Sequence, residues 1–206
     1  MKTSDWDERY RAAGYLYGTD PNDFLRDVAG RIPAGPVLAI ADGEGRNGVY
    51  LATLGHAVTS VDQSAVGLAK ARELAAARGV PLDTVVANLA DFAIAEEGWS
   101  GVVLIFAHLP PALRREVLGK AVRGLVPGGV LILEAYTPAQ LGFGTGGPPQ
   151  AELLMTLEGL RAELAGLDLE IGREIERDIH EGAGHGGRSA VVQIVGVRPG
   201  GADRQG

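Results

Sequence analysis

A chain of 206 residues with a net charge of -7, 46% hydrophobic and 22% charged, has room for one substantial core and the composition of an ordinary globular protein. The absence of cysteine excludes disulfides, thiolate metal sites and a cysteine nucleophile. The acidic balance lacks the basic face that nucleic acid requires and no apolar run reaches bilayer length, so the expectation is a cytoplasmic protein without nucleic-acid or membrane partners.

In chain order, the first 30 residues are polar and aromatic, with Trp6, Tyr10, Tyr15 and Tyr17 set among glycines in "WDERY" and "GYLYGTDP". They predict a helical segment that lids a ligand, with glycines to absorb hinge motion. A first strand follows at 36–41 ("PVLAIA"), then the loop "DGEGRNG" at 42–48. Further apolar runs lie at 57–61, 82–87, 102–107 and 130–135. Runs that are apolar on both faces predict parallel strands covered by helices on each side. Helices fall between them. One runs over 64–78 between Ser64, a good N-cap, and Gly79, a good terminator. The next starts at Pro110-Pro111, aligns Leu113, Val117, Ala121 and Leu125 on one face, and stops at Pro127. A third stripe, Leu153, Leu157, Leu160 and Leu164, is closed by Gly166.

The alternation then breaks. Leu167, Leu169 and Ile171 alternate with other residues, a polar glycine-rich connection follows, and 188–197 ("RSAVVQIVGV") is a last strand. Two extended segments without an intervening helix predict an antiparallel hairpin. The expected fold is therefore α/β: a Rossmann-like doubly wound sheet of about seven strands, five parallel plus the C-terminal hairpin, with helices on both faces. One domain is expected over 1–198, with 199–206 a disordered tail.

Gly43, Gly45 and Gly48 spell G-x-G-x-x-G, and Asp62 follows about twenty positions on. Taken alone, that is a dinucleotide fingerprint. Yet Asp42 and Glu44 stand where a pyrophosphate would sit, and their charges would oppose it.

The stretch "VLAIADGEGRNGVYLATLGHAVTSVDQS" (37–64), the turn and strand "GLVPGGVLILEAY" (124–136) and the terminal hairpin together resemble class I S-adenosylmethionine (SAM) methyltransferases. Within that family, "GEGRN", "WDERY" and "YLYGTDPNDFL" are similar to the small tellurite-resistance and thiopurine-methyltransferase-like group. The resemblance implies a ligand that is cationic at sulfur and carries no phosphate, which the loop acids would help to hold. It implies that Asp62 accepts from both ribose hydroxyls, that Gln63, Asn88 and Leu89 line the adenine, and that Arg46 pairs with the methionine carboxylate. Ala107 would offer its carbonyl to the ammonium, and Tyr17, Ala41, Gly43, Gly45 and Asn47 would complete the cofactor contacts. Two positions depart from the family pattern: Ala39 stands where an acid is usual and Ala41 where a glycine is usual, with Asp42 as the neighbouring substitute.

For the acceptor, Tyr15, His108 and Tyr136 are the candidate walls, and His108 and Tyr136 the candidate catalytic groups. His180 and His185 are separated by glycines that fix no ligand spacing, so no metal is expected. No Lys or Glu adjoins His108 in sequence, which favours an acceptor that needs no strong base, such as a thiol or metalloid oxyanion. The sequence thus points to methyl transfer from SAM to a small molecule by a monomer or homodimer. A SAM-binding sensor without catalysis is the alternative, and an NAD(P)-dependent oxidoreductase the third reading.

Overall fold

A computed structural model describes residues 3–182 and 184–200 of the chain. The expected tail lies, from residue 201 onward, outside the described residues.

The strands are β1 (Pro36–Ile40), β2 (Ala57–Asp62), β3 (Asp83–Val86), β4 (Trp99–Ile105), β5 (Leu125–Tyr136), β6 (Asp168–Glu181) and β7 (His185–Val197). They form one seven-stranded sheet in the order β3-β2-β1-β4-β5-β7-β6. The first five are parallel, and β7 pairs antiparallel with both β5 and β6. This is the doubly wound sheet with a terminal hairpin that the apolar runs predict. The helices are α1 (Thr3–Tyr10), α2 (Asp23–Val28), α3 (Arg46–Thr53), α4 (Ala65–Arg78), α5 (Pro111–Gly124) and α6 (Leu157–Glu163).

Side-chain alternation along each strand divides the core in two. Leu38 and Ile40 of β1, with Leu131 and Leu133 of β5, pack against Val117 and Leu118 of α5 and Leu160 of α6. Their neighbours Val37, Ala39 and Ile132 face the other way, toward Phe24 and Leu25 of α2 and Leu51 of α3. Ala39, the position where an acid was missed, is therefore a core residue.

Local chemistry sets the helix ends. Ser64 Oγ accepts from Gly67 N at 3.0 Å to cap α4, which terminates at Gly79 in the left-handed conformation (φ 67°). The third stripe begins later than predicted: Thr156 caps α6 by accepting from Gly159 N, and Leu153 belongs to a 3-10 turn before it. The larger difference is in the hairpin. The polar stretch read as a connection is strand: β6 runs to Glu181 and pairs with His185, leaving only a short turn. Its charges suit an edge strand, where they oppose pairing with another chain.

Candidate functional site

Strand β1 has β2 on one side and β4 on the other, so the chain winds away from it in opposite directions and leaves a crevice at the C-terminal edge. A cavity of about 790 Å³ opens there, within the range of small-molecule sites. It is walled by Ala41, Asp42, Gly43, Glu44, Arg46 and Asn47 after β1, by Asp62 and Gln63 after β2, and by Asn88 and Leu89 after β3. Residues at 105–110 after β4, the segment 146–153 after β5, and Trp6, Arg9, Tyr10 and Tyr17 complete it.

Besides Glu97 in an exposed turn (φ 50°), two non-glycine residues among those described, Ala41 and Phe106, have left-handed backbone at φ 54° and 53°. They end the adjacent central strands β1 and β4 and both line the cavity. Each costs roughly 1–3 kcal/mol, and such strain concentrates at ligand sites. Ala41 thus adopts the conformation for which glycine is usual.

The glycine loop is ordered by its own acids. Asp42 accepts from Ser60 Oγ at 2.5 Å and from Gly48 N at 3.2 Å, tying the loop to β2. A Cβ at Gly48 would collide with the Asp42 carboxylate and the Ser60 hydroxyl, which explains that glycine. Gly45 does not line the cavity: as the left-handed N-cap of α3 it lies against Ala71 of α4, where any Cβ would clash. Gly45, expected among the cofactor contacts, is thus set back from the cavity wall. Glu44 also turns inward, accepting from Leu16 N at 2.7 Å and Lys70 Nζ at 2.8 Å. The acids answer to the protein's own donors first, rather than to a ligand cation.

Asp62 ends β2 at the cavity wall, where Gly43 N donates to it at 2.9 Å and Ser64 N at 2.8 Å. Burial raises its pKa in spite of these backbone donors. Arg46 is only 7% exposed; its Nη2 donates to Glu181 at 2.6 Å, while its buried Nη1 finds no partner among the described residues. An unpartnered buried guanidinium nitrogen in a cavity wall is a docking point for an anionic group. Asn88 uses its side-chain oxygen for a turn, accepting from Ala90 N at 3.1 Å, while Leu89 and Gln63 line the wall beside it.

The N-terminal segment closes the cavity from above. Lys70 Nζ donates to the carbonyls of Ala12 (2.8 Å) and Gly14 (2.6 Å), and Asn22 N donates to Asn47 Oδ1 at 2.9 Å. Tyr10 is buried, stacks on Trp6, and sets its hydroxyl over Gly43, with burial driving its pKa far up. Gly184 N, in the terminal hairpin, donates to Leu16 O at 3.1 Å and lies against the Tyr17 ring. Tyr15 is not part of the lid. It packs on Val49 and Leu74 with its hydroxyl donating to Lys70 O, away from the cavity, because α4 offers an apolar seat there.

Below β4 and β5 the wall is mostly apolar, built by Phe106, Leu109, Pro110, Leu113, Pro148, Pro149 and Leu153, with Gln150 among them. Ala107 lies buried at its border. His108 lines it too, with Nδ1 at 3.0 Å from Leu153 O and Nε2 at 3.5 Å from Tyr136 N. Tyr136, expected in the wall, is fully buried behind it; its ring stacks on Phe106 at 4.6 Å, and burial raises its pKa. Glu181, Asn22, Arg9 and Phe106 were not anticipated. Glu181 was hidden by its setting in "HEGAGHGG", which reads as loop.

Residues 37–129 match the profile of a methyltransferase domain. No curated protein matches the chain in sequence. Among solved structures, one described by the conversion of a disulfide bond into a thioacetal group during echinomycin biosynthesis superposes with a TM-score of 0.78 at 20% identity, covering 98% of this chain and 93% of that one. TehB from Haemophilus influenzae superposes at 0.69 with 18% identity, over 96% of this chain and 67% of its own. The N-methyltransferase NodS from Bradyrhizobium japonicum WM9, in complex with S-adenosylhomocysteine (SAH), gives 0.70 at 14% identity over 96% and 98%. These likenesses are of fold. With the domain match, they give residues 37–129 a methyltransferase-domain profile on a fold shared with SAM-dependent methyltransferases. No described helix is long and apolar enough to cross a membrane.

Proposed function

We propose that the enzyme methylates a small molecule through a soft nucleophilic atom, such as a thiol sulfur or a metalloid oxyanion, as the likeness to the tellurite-resistance and thiopurine-methyltransferase-like group suggests. The observation that carries the cofactor's placement is the buried, unpartnered Arg46 Nη1 in the cavity wall that also holds Asp62. The residues fit SAM: Arg46 takes the carboxylate, Asp62 the ribose hydroxyls, Gln63 and Leu89 the adenine, and the Ala107 carbonyl the ammonium. Bound there, SAM would supply an electrophilic methyl carbon on its sulfonium to the acceptor's lone pair, with SAH as the leaving group.

The protein's part is orientation and exclusion of water. Both ring nitrogens of His108 already have backbone partners, so the imidazole is built as a wall and not as a base. A thiol needs none: it enters uncharged and gives its proton to water as its sulfur attacks.

Calorimetry with SAM, SAH and NAD tests the cofactor: the first two should bind and NAD should not. Asp62→Ala should weaken SAM binding by roughly 1–3 kcal/mol, the scale of hydrogen bonds to a charged group. An unchanged affinity would remove Asp62 from the ribose. Because the lid is tied by Lys70, Glu44 and Asn47, amide exchange over residues 10–20 should slow when SAH is added. Equal exchange with and without SAH would make Tyr17 an ordinary packing residue.

A further inference from the structure

The two halves of the cavity differ in chemistry, and the difference bears on which acceptor enters. Resting on the methyltransferase reading above, and narrowing its two acceptors to the thiol, we propose that the acceptor is an uncharged molecule with an apolar body, seated below β4 and β5, and that metalloid oxyanions are excluded.

The acceptor half is built by Phe106 and Leu109 after β4, Leu113 of α5, and Pro148 and Leu153 after β5. Contact His108–Leu153 locks the two sides of this half together at 3.0 Å. An oxyanion entering here would shed water against carbon and find only the Gln150 amide and His108, whose ring nitrogens already have backbone partners, too few donors to replace its hydration. The charges of the cavity point the same way. Asp42, Glu44 and Asp62 line it, and the only cations that do so among the described residues are Arg9 and Arg46. Arg46 has one nitrogen on Glu181 and the other set for the cofactor carboxylate. Arg9 is held at the rim, 5.1 Å over the Trp6 ring. No cation is left for a second anion, and the acids would repel it.

If apolar area carries acceptor binding, each added methylene should tighten it by about fourfold until the pocket is full. The test is calorimetric binding of straight-chain thiols, from ethanethiol to hexanethiol, and of selenite, to the whole protein saturated with SAH. SAH release from SAM is then measured with the same compounds. The expected result is a rising affinity along the thiol series and no binding of selenite. In Leu113→Ser the series should flatten while SAH affinity holds. A flat series in the wild type, or selenite bound as tightly as hexanethiol, overturns the proposal and leaves the methyltransferase reading standing. Failure of SAH itself to bind overturns both.

Discussion

A Glu134→Ala variant should lose about 3–5 kcal/mol of stability, the cost of breaking a buried ion pair from one side. Glu134 on β5 has no exposed surface. Its carboxylate accepts from Arg177 Nε (2.9 Å) and Nη2 (2.7 Å), from Gln193 Nε2 (2.7 Å) and from Asn22 Nδ2 (2.6 Å). Alanine would leave the Arg177 guanidinium, which is 15% exposed, with only longer ion pairs to Asp23 and Glu181 at 3.6 Å, and would take an acceptor from Gln193 and Asn22. Glu134→Gln, which keeps an acceptor but no charge, should lose less. Urea unfolding of both variants measures this. A loss below about 1 kcal/mol in the alanine variant would mean that water enters and screens the cluster.

Stability should also depend on the protonation of Asp42. Burial lifts its carboxyl from the ordinary 3.8 to about 6, against the hydrogen bonds from Ser60 and Gly48 that favour the anion. The folded state therefore holds this proton more tightly than the unfolded chain. Its contribution to stability is full below pH 3.8 and is lost as pH rises toward 6. Two pH units correspond to at most about 3 kcal/mol. Asp42→Asn keeps the acceptor for Gly48 N and carries no charge, so it should gain up to that amount at pH 7.5 and almost nothing near pH 4. Thermal unfolding across that range checks it, and a gain independent of pH would assign the effect to something other than ionisation.

The sheet was legible because β1, β2, β4 and β5 are apolar on both faces, a pattern imposed by helices on each side of a parallel sheet. The glycine loop and Asp62 gave the cavity its place. Other features follow no short-range rule. Strand β6 hid because an edge strand is charged, so its pattern is that of a loop. Gly45 belonged to the motif by spacing, but its backbone is needed for the approach of α4. Tyr15 and Tyr136 resembled lid and wall residues; their rings were claimed by apolar seats formed from distant parts of the chain. The Arg46–Glu181 pair spans 135 positions, a separation across which sequence carries no pairing signal.

That same separation bears on when the site comes into being. Arg46 and Asn47 begin α3, yet Arg46 is steered by Glu181, and Glu181 is bonded to Asn22, which lies 159 positions away. The chain must close its longest loops before this corner is complete, and contacts of high sequence separation form late. A ribosome-bound chain that has emerged through β5 holds the glycine loop and Asp62 but not the hairpin that fixes Arg46. Cofactor affinity should therefore be acquired last in synthesis, after the parallel sheet has formed.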